Sequence, residues 1–304
     1  MYNITRKVPK GKSMDKKRKK QQEKSYPAAL TIGCSDSGGC SGIQADLRTF
    51  NAFGVFGCSA VTAVSAGNPL AVTRIDRLSA ESISAQIDAV CKEIDVDFAK
   101  SGITGCAANV EAVAAAVKKH RLQLICDPGI ISSGGERLLD DDGTAVVKEQ
   151  LIPLAKWLTI NAAEAALLSG ENIGNTDDLS SATRKIADKF GVDVIVKGSS
   201  FGQSSGKGRL PRMTDVICRN GELWKISSLR VDLPDTTSYG AGCTLSAALA
   251  ATFALDIPWK EAICAARSFV MGSLVENIRI GKTLHAMYPP TNDYMSSIQL
   301  EKLD

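Results

Sequence analysis

Short apolar runs rich in β-branched residues alternate with helical stretches along most of this sequence. The run Ala28–Gly33 leads through a Gly/Ser turn into a helical stretch at Ile43–Phe53, and the β-rich run Cys58–Val64 precedes an amphipathic stretch at Ala80–Glu93. The alternation continues as far as a long Ala-rich helix after Gly242. Short strands separated by helices form parallel βαβ units, and helices cover both faces of the resulting sheet. The sequence therefore predicts an α/β fold with a mostly parallel central sheet.

The pattern changes near residue 214, where it predicts a hairpin. Two β-rich segments, Thr214–Cys218 and Glu222–Ile226, flank Arg219-Asn220-Gly221, and Asn-Gly is a strong hairpin signal. No linker is long enough to divide the chain on either side of it. We therefore expect one domain over residues 27–288, followed by a C-terminal tail at residues 289–304.

The composition argues against several classes of protein. With 44% apolar and 23% charged residues, the chain has the balance of a globular protein rather than of a disordered or fibrous one. No apolar run reaches the roughly 18 residues that a membrane span needs, and the N-terminus lacks a signal-peptide core. Nine scattered cysteines without a C-x-x-C pair favour reduced thiols and a cytoplasmic location. Two histidines argue against a multi-histidine metal site.

The first 24 residues form a strongly basic segment with ten Lys and Arg against two acidic residues. Almost no apolar residue follows Val8 in this segment, so it lacks the material for a packed helix. We expect residues 1–26 to be a disordered basic tail. A solvated extension is favoured over a segment that binds nucleic acid or an acidic surface, so nucleic acid is not expected as a partner.

Two glycine-rich segments lead directly into predicted helices. The first runs from Gly33 to Leu47, and the second runs from Thr237 to Thr244. Glycines at the start of a helix let a ligand approach successive N–H groups at the positive end of the helix dipole. The first segment is not a Walker loop, because no G-K-[ST] follows it. An ordinary βα turn and a structural helix start remain the alternative interpretations of these two segments.

Polar residues follow three of the predicted strands. Asp127 ends the apolar run Leu122–Cys126, Asn161 and Glu164 form an N-x-x-E pattern, and Lys197 follows another β-branched run. Ligands of open parallel sheets bind at the carboxyl ends of the strands, so we expect these side chains to converge. Acidic and amide oxygens, a lysine and an anion-binding helix start are the parts that phosphoryl transfer needs.

From Ala28 to about Asn277 the chain resembles the ribokinase-like superfamily. Within it, the chain is most similar to the hydroxymethylpyrimidine/phosphomethylpyrimidine kinases of thiamine biosynthesis. The specific signatures are S-D-S-G-G-x-x-G-I-Q-A-D-L at Ser35–Leu47 and G-x-G-C-T-L-S-A-A at Gly240–Ala248. Cys243 stands where most sugar kinases and typical pyridoxal kinases of the superfamily have Asp.

The resemblance implies a ribokinase-like three-layer sandwich that forms a homodimer. It also implies a kinase that uses ATP and Mg²⁺ to phosphorylate a small heteroaromatic alcohol or its phosphate. Asn161, Glu164 and Asp127 would hold magnesium and phosphates, with Glu164 and Asp127 as the metal ligands, and Lys197 would contact ATP phosphates. The residues that it assigns to the anion hole are Gly240, Ala241, Gly242 and Cys243, and those that it assigns to the acceptor side are Asp36, Asp46, Gly67 and Ile103.

One departure from the family pattern concerns the acceptor. Family members read V-x-A-Q-N after the second strand, and their Gln hydrogen-bonds the pyrimidine, but here Gly67 occupies the place of that Gln. Either the pocket has lost this hydrogen-bonding group, or Gly67 supplies a positive φ beside Asn68. The leading hypothesis is a hydroxymethylpyrimidine kinase. The alternatives are a pyridoxal/pyridoxine kinase and a non-catalytic nucleotide- or vitamin-binding relative.

Overall fold

The computed structural model describes residues 25–198 and 212–303 of the chain. The predicted basic tail therefore lies, apart from its last two residues, outside the described residues. The α-helices are α1 (Gly42–Ala52), α2 (Ala80–Glu93), α3 (Ala107–His120), α4 (Asp141–Val146), α5 (Ala162–Ser169), α6 (Thr176–Phe190), α7 (Ala241–Ala254) and α8 (Trp259–Val275). The strands are β1 (Ala28–Asp36), β2 (Phe56–Asn68), β3 (Ala71–Arg77), β4 (Phe98–Ser101), β5 (Gln123–Cys126), β6 (Ala155–Asn161), β7 (Asp193–Lys197), β8 (Arg212–Arg219), β9 (Glu222–Leu229), β10 (Ile278–Arg279), β11 (His285–Ala286) and β12 (Gln299–Lys302).

In the described part of the chain, ten strands form one sheet in the order β12-β9-β8-β7-β6-β5-β4-β1-β2-β3. The strands from β7 to β2 in this order run parallel, and β3, β8, β9 and β12 pair antiparallel. One apolar core joins α2, α3, α5 and α6 to one face of the sheet, and a second joins α1, α7 and α8 to the other face. The predicted mostly parallel sheet with helices on both faces is confirmed.

The direction of winding reverses at β1, since β2 lies on one side of this strand and β4 lies on the other. At such a switch point, neighbouring connections leave the sheet on opposite faces and open a crevice at the carboxyl ends of the strands. The loops after β1, β4, β5, β6 and β7 all begin at this edge, which is where the candidate site lies.

The sheet extends beyond the predicted strands at both edges. All seven residues of β3 are exposed, and this strand was not predicted because its apolar and polar residues do not alternate. At the other edge, β12 pairs with β9 and lies within the segment that we expected to be a C-terminal tail. Glu276, just after α8, accepts hydrogen bonds from Thr291 and Asn292 and so fastens the chain that leads into β12. The expectation of a tail at residues 289–304 is therefore corrected.

Membrane-spanning helices are not found among residues 25–198 and 212–303, since none of their helices is both long and apolar enough to cross a bilayer. All nine cysteines lie in the described part of the chain, and each is a free thiol.

Candidate active site

The N-terminus of α7 is the centre of the site, and its tight turn requires glycine. Gly240 has φ of +91°, and a Cβ built on it would lie 1.9 Å from the carbonyl oxygen of Cys40. The turn and the loop after β1 are therefore in direct backbone contact. The Ser41 hydroxyl also lies 3.5 Å from the Cys243 sulfur, which is half-buried in the first turn of α7. This arrangement leaves the first N–H groups of a 14-residue helix at the carboxyl edge of the sheet.

Lys197 brings a positive charge to this helix start. Its Nζ atom lies 3.5 Å from Asp127 Oδ1 and 3.2 Å from the position that a Cβ on Gly242 would occupy. Burial alone lowers the pKa of Lys197, but the carboxylates of Asp127 and Glu164 outweigh it and hold the pKa above its ordinary value. The amine therefore stays charged beside the helix N-terminus, and the two together form a site for an anion.

Asp127 is the carboxylate that borders this anion site. Its Oδ2 atom accepts a hydrogen bond of 3.0 Å from the Ser246 hydroxyl of α7, which fixes the side chain below Lys197. Hydrogen bonds to one hydroxyl and one ammonium leave other lone pairs of the carboxylate open to a cation.

Glu164 is held in place by hydrogen bonds from three backbone N–H groups. Its Oε1 accepts from the backbone N–H groups of Ile130 at 2.8 Å and Ile131 at 3.3 Å, and its Oε2 accepts from the N–H of Asn161 at 3.0 Å. The side chain of Asn161 in turn accepts from the N–H of Glu164 and donates to the carbonyl of Ile131. Glu164 is 1% exposed, and burial raises its pKa. The pair braces the loop after Asp127, and the assignment of Glu164 to the metal stays a prediction.

Asp36, expected on the acceptor side, organises the glycine-rich loop. Its Oδ1 accepts from the N–H of Gly38, and its Oδ2 accepts from the N–H groups of Cys40 and Ser41, at distances from 2.9 to 3.1 Å. Gln44, which the sequence analysis did not single out, bridges Ser35 and the N–H of Asp36 at the end of β1. The loop that contacts Gly240 is thus held by the side chain of Asp36, and the assignment of Asp36 to the acceptor side stays a prediction.

Asp46, the second residue expected on the acceptor side, is wholly buried. It forms an ion pair of 2.8 Å with Lys100, whose side chain is 1% exposed, and accepts a hydrogen bond of 2.5 Å from the Thr31 hydroxyl. Burial by itself lowers the pKa of Lys100, but the Asp46 carboxylate outweighs it, so the pKa lies above its ordinary value. The pair places a permanent buried cation between β4 and α1.

Gly67 does not have the positive φ that one interpretation of the family departure expected, and the loss of a hydrogen-bonding group from the acceptor pocket stays a prediction. A Cβ built on Gly67 would lie 2.8 Å from the carbonyl oxygen of Ala71 and 2.9 Å from Val72 Cα. A side chain here would therefore meet the backbone of β3 at once. The Ser37 hydroxyl accepts from the N–H of Gly67 and donates to its carbonyl, which ties the hairpin of β2 and β3 to the glycine-rich loop.

Ile103 lies at the mouth of the site, between the ends of β4 and β5. Its carbonyl accepts a hydrogen bond of 2.6 Å from the Thr62 hydroxyl, and its side chain packs on Gly129, where φ is +58°. The structure thus brings together Lys197, Asp127 and the turn from Gly240 to Cys243. Asp36 and Glu164 hold the loops around this group, and Asp46 joins α1 to β4 and β1 through Lys100 and Thr31.

Comparisons with known proteins agree with this arrangement. A family described as phosphomethylpyrimidine kinase matches residues 36–288. The hydroxymethylpyrimidine/phosphomethylpyrimidine kinase of Rhizobium meliloti is 36% identical over 257 residues, which cover 84% of this chain and 93% of that protein. The pyridoxine kinase of Bacillus subtilis is 33% identical and covers 85% of this chain and 95% of its own length.

Solved structures of similar sequence share the fold. The phosphomethylpyrimidine kinase of Clostridium difficile is 31% identical, with a TM-score of 0.67, and the match covers 80% of this chain and 97% of that one. The ADP complex of Bacillus subtilis pyridoxal kinase is also 31% identical, with a TM-score of 0.78 and coverage of 87% and 98%. The ribokinase-like fold predicted from the sequence is confirmed by these structures. With its two glycine-rich signatures and the matched residues 36–288, the chain belongs to the phosphomethylpyrimidine kinase family.

Proposed function

We propose that this protein transfers a phosphoryl group from ATP to the hydroxymethyl group of hydroxymethylpyrimidine, to its monophosphate, or to both. The observation that carries the proposal is the meeting of Lys197, Asp127 and the glycine turn at the N-terminus of α7. A charged amine and a row of helix N–H groups suit the terminal phosphates of a nucleotide. The kinase names of relatives that match over most of the chain support the same reaction.

Magnesium fits the groups that border this anion site. Among the described residues, no cluster of three or more His, Cys, Asp or Glu side chains could hold a metal ion. Mg²⁺ in kinases needs no such cluster, because one or two carboxylates and the phosphates of the nucleotide hold it together with waters. Asp127 is the carboxylate that we assign to it. When bound, the cation neutralises charge that develops between the phosphates.

The protein's own contribution to the reaction is positioning and charge. Phosphoryl transfer has a loose transition state, so holding the acceptor oxygen in line with the phosphate matters more than a strong base. We assign Lys197 and the N–H groups from Gly240 to Cys243 to the transferred phosphate. Cys243, whose sulfur lies beside the Ser41 hydroxyl, is assigned to orienting the acceptor hydroxyl. The braced loops reduce the reorganisation that is needed at the moment of transfer.

Pyridoxine or pyridoxal is the second candidate acceptor. Gly67 offers no side-chain amide to a pyrimidine ring, and a relative named pyridoxine kinase is 33% identical. Cys243 in place of the usual Asp of pyridoxal kinases favours the pyrimidine. We therefore rank hydroxymethylpyrimidine first.

The experiment measures ADP release with hydroxymethylpyrimidine, its monophosphate, pyridoxine and pyridoxal, with and without Mg²⁺. We expect turnover on a pyrimidine acceptor that depends on Mg²⁺ and falls at least about 100-fold in Lys197→Met, since a charge clamp on the phosphate is lost. Lys189→Met, which removes a lysine on α6, is the matched control and retains wild-type turnover. Nucleotide binding without turnover on any acceptor would contradict the kinase and favour the non-catalytic alternative.

We further propose that the protein is a cytoplasmic homodimer that pairs through the hairpin of β2 and β3. Exposed apolar side chains are concentrated there, including Leu70 (65% exposed), Ile75 (54%) and Val72 (47%). The outer edge of β3 also presents backbone N–H and C=O groups with which a strand of a second copy could pair. Nine free thiols suit a reducing compartment. Light scattering on Ile75→Lys tests the interface: a monomer is expected for this variant, and a monomeric wild type contradicts the proposal.

A further inference from the structure

Asp215 lies on β8 directly opposite Lys197 of β7, and its buried carboxylate contacts the chain just after that lysine. Its Oδ1 accepts a hydrogen bond of 3.2 Å from the N–H of Gly198. Its Oδ2 lies 3.3 Å from Nη1 of Arg267 on α8, and the two side chains are 2% and 11% exposed. The guanidinium also donates to the Ser228 hydroxyl of β9. Three separate elements are thus joined at the end of β7.

The backbone at Gly198 packs too closely against its neighbours to leave room for a side chain. A Cβ built on Gly198 would lie 2.3 Å from the carbonyl oxygen of Thr214 and 2.8 Å from Leu179 Cδ2. The backbone of β8 therefore lies close against one side of Gly198, and the carboxylate of Asp215 accepts a hydrogen bond from the N–H of Gly198. Gly198 is the residue that follows Lys197, so a fixed peptide here fixes the direction in which the lysine side chain leaves the strand.

Lys197 depends on this support because its own side-chain contact is weak. Its Nζ atom reaches Asp127 only at 3.5 Å, at the limit of a hydrogen bond. A buried ion pair such as that of Asp215 and Arg267 seldom adds net stability over apolar side chains of the same size. The pair therefore requires an explanation other than stability, and the anchored peptide beside Lys197 provides one.

We propose that Asp215 is a positioning residue for the ATP site, which holds the Gly198 peptide so that Lys197 points to the nucleotide phosphates. Arg267 is the counter-ion that allows the carboxylate to be buried. The inference rests on the proposed role of Lys197 in binding ATP.

Two double variants separate the hydrogen bond to Gly198 from the ion pair. Asp215→Leu with Arg267→Met removes both charges and the acceptor for the Gly198 N–H, whereas Asp215→Asn with Arg267→Met removes the charges but keeps an acceptor oxygen. The measurements are ADP affinity by calorimetry, the KM values for ATP and acceptor, and the thermal midpoint. We expect the leucine variant to bind ADP about tenfold more weakly and to have an ATP KM about tenfold higher. The acceptor KM stays unchanged in it, and the asparagine variant stays near wild type in every measurement.

Equal nucleotide affinity in the two double variants overturns the proposal, whether both are normal or both are weakened. Asp215→Ser with Arg267→Met, whose hydroxyl is too short to reach Gly198, replaces the leucine variant if that one fails to fold. A second check repeats this comparison of ADP affinity in proteins that also carry Lys197→Met. If Asp215 acts through Lys197, the leucine and asparagine variants then bind ADP equally well. If a difference between them persists, Asp215 does not act through Lys197. Failure of the proposed kinase function can be told apart from failure of the proposal for Asp215. In that case the wild-type protein itself would bind ADP without turnover, or would not bind ADP.

Discussion

Substitution of Gly67 tests how the hairpin beside the acceptor side tolerates a side chain. A Cβ on this residue would come within 2.8 Å of the Ala71 carbonyl and 2.9 Å of Val72 Cα, and both are backbone atoms of β3. Neither atom can rotate away, so any substitution must displace β3 or break its pairing with β2 at Gly67 and Val72. Overpacking of this kind costs about 1–3 kcal/mol.

Because the clash begins at Cβ, we expect Gly67→Ala and Gly67→Gln to have similar effects. If the hairpin must be in place when the acceptor binds, a cost of about 1–3 kcal/mol raises the KM for hydroxymethylpyrimidine by about 5- to 150-fold. The KM for ATP stays unchanged, since Lys197 and Asp127 lie at the ends of other strands. The assay couples ADP release to NADH oxidation. Ala66→Gln is the matched control, because it places the same side chain on an exposed neighbour in the hairpin.

A lower KM for hydroxymethylpyrimidine in Gly67→Gln that is absent from Gly67→Ala would refute this reasoning. It would mean that the amide reaches the acceptor despite the backbone of β3, as the resemblance to the pyrimidine kinases implies. Urea unfolding of each variant shows whether the cost falls on the hairpin alone or on the whole domain.

Three further outcomes are expected. Glu164→Gln lowers turnover at least about tenfold and lowers the free energy of unfolding by about 1–3 kcal/mol, because one of three backbone N–H groups loses its carboxylate acceptor. Wild-type turnover and wild-type stability in this variant would contradict the bracing role of Glu164. Burial alone would raise the pKa of Glu276, but hydrogen bonds from Thr291 and Asn292 lower it to about 2. The loss of urea stability in Glu276→Gln should therefore be constant at neutral pH and shrink as the pH falls from about 4.3 towards 2, and a difference independent of pH would count against this assignment. Removal of residues 1–25 should leave turnover and thermal midpoint nearly unchanged, because the segment has few apolar residues to add to a core; a large fall in either would mean that it docks on the domain.

Those parts of the fold that depend on local pattern could be predicted from the sequence. The β-branched runs between helices became the parallel strands, and Asn220-Gly221 became the turn between β8 and β9. The edge strands β3 and β12 could not be predicted in this way. An edge strand has one free side and an exposed face, so its sequence need not be apolar or alternating. β3 is exposed throughout, and it is held by backbone pairing with β2, the strand just before it, rather than by apolar side chains of its own in the core.

The positions of the site residues could be predicted, but not what each of them touches. An acidic side chain near a strand end suggests a metal or substrate ligand. The glycine-rich and N-x-x-E motifs read the same, however, whether their carboxylate binds a metal or accepts hydrogen bonds from backbone N–H groups. Whether Glu164 meets the N–H groups of Ile130 and Ile131 depends on how a loop 33 residues away folds over it. Such contacts between distant segments leave no periodic signal in either segment.

The carboxylates around the site differ in how many of their oxygen lone pairs are already occupied, and this difference separates their functions. Asp36 accepts from three N–H groups of the glycine-rich loop, and Glu164 accepts from three N–H groups of two other segments. Asp46 is paired with a buried lysine. Asp127 alone among these four meets both the lysine and the helix start of the anion site. Two carboxylates that hold loops, one that pairs with a buried lysine and one that borders the anion site suit a phosphoryl transferase whose nucleotide supplies most of the metal ligands. Dipoles that are fixed before the reaction then stabilise the charge of the transferred group.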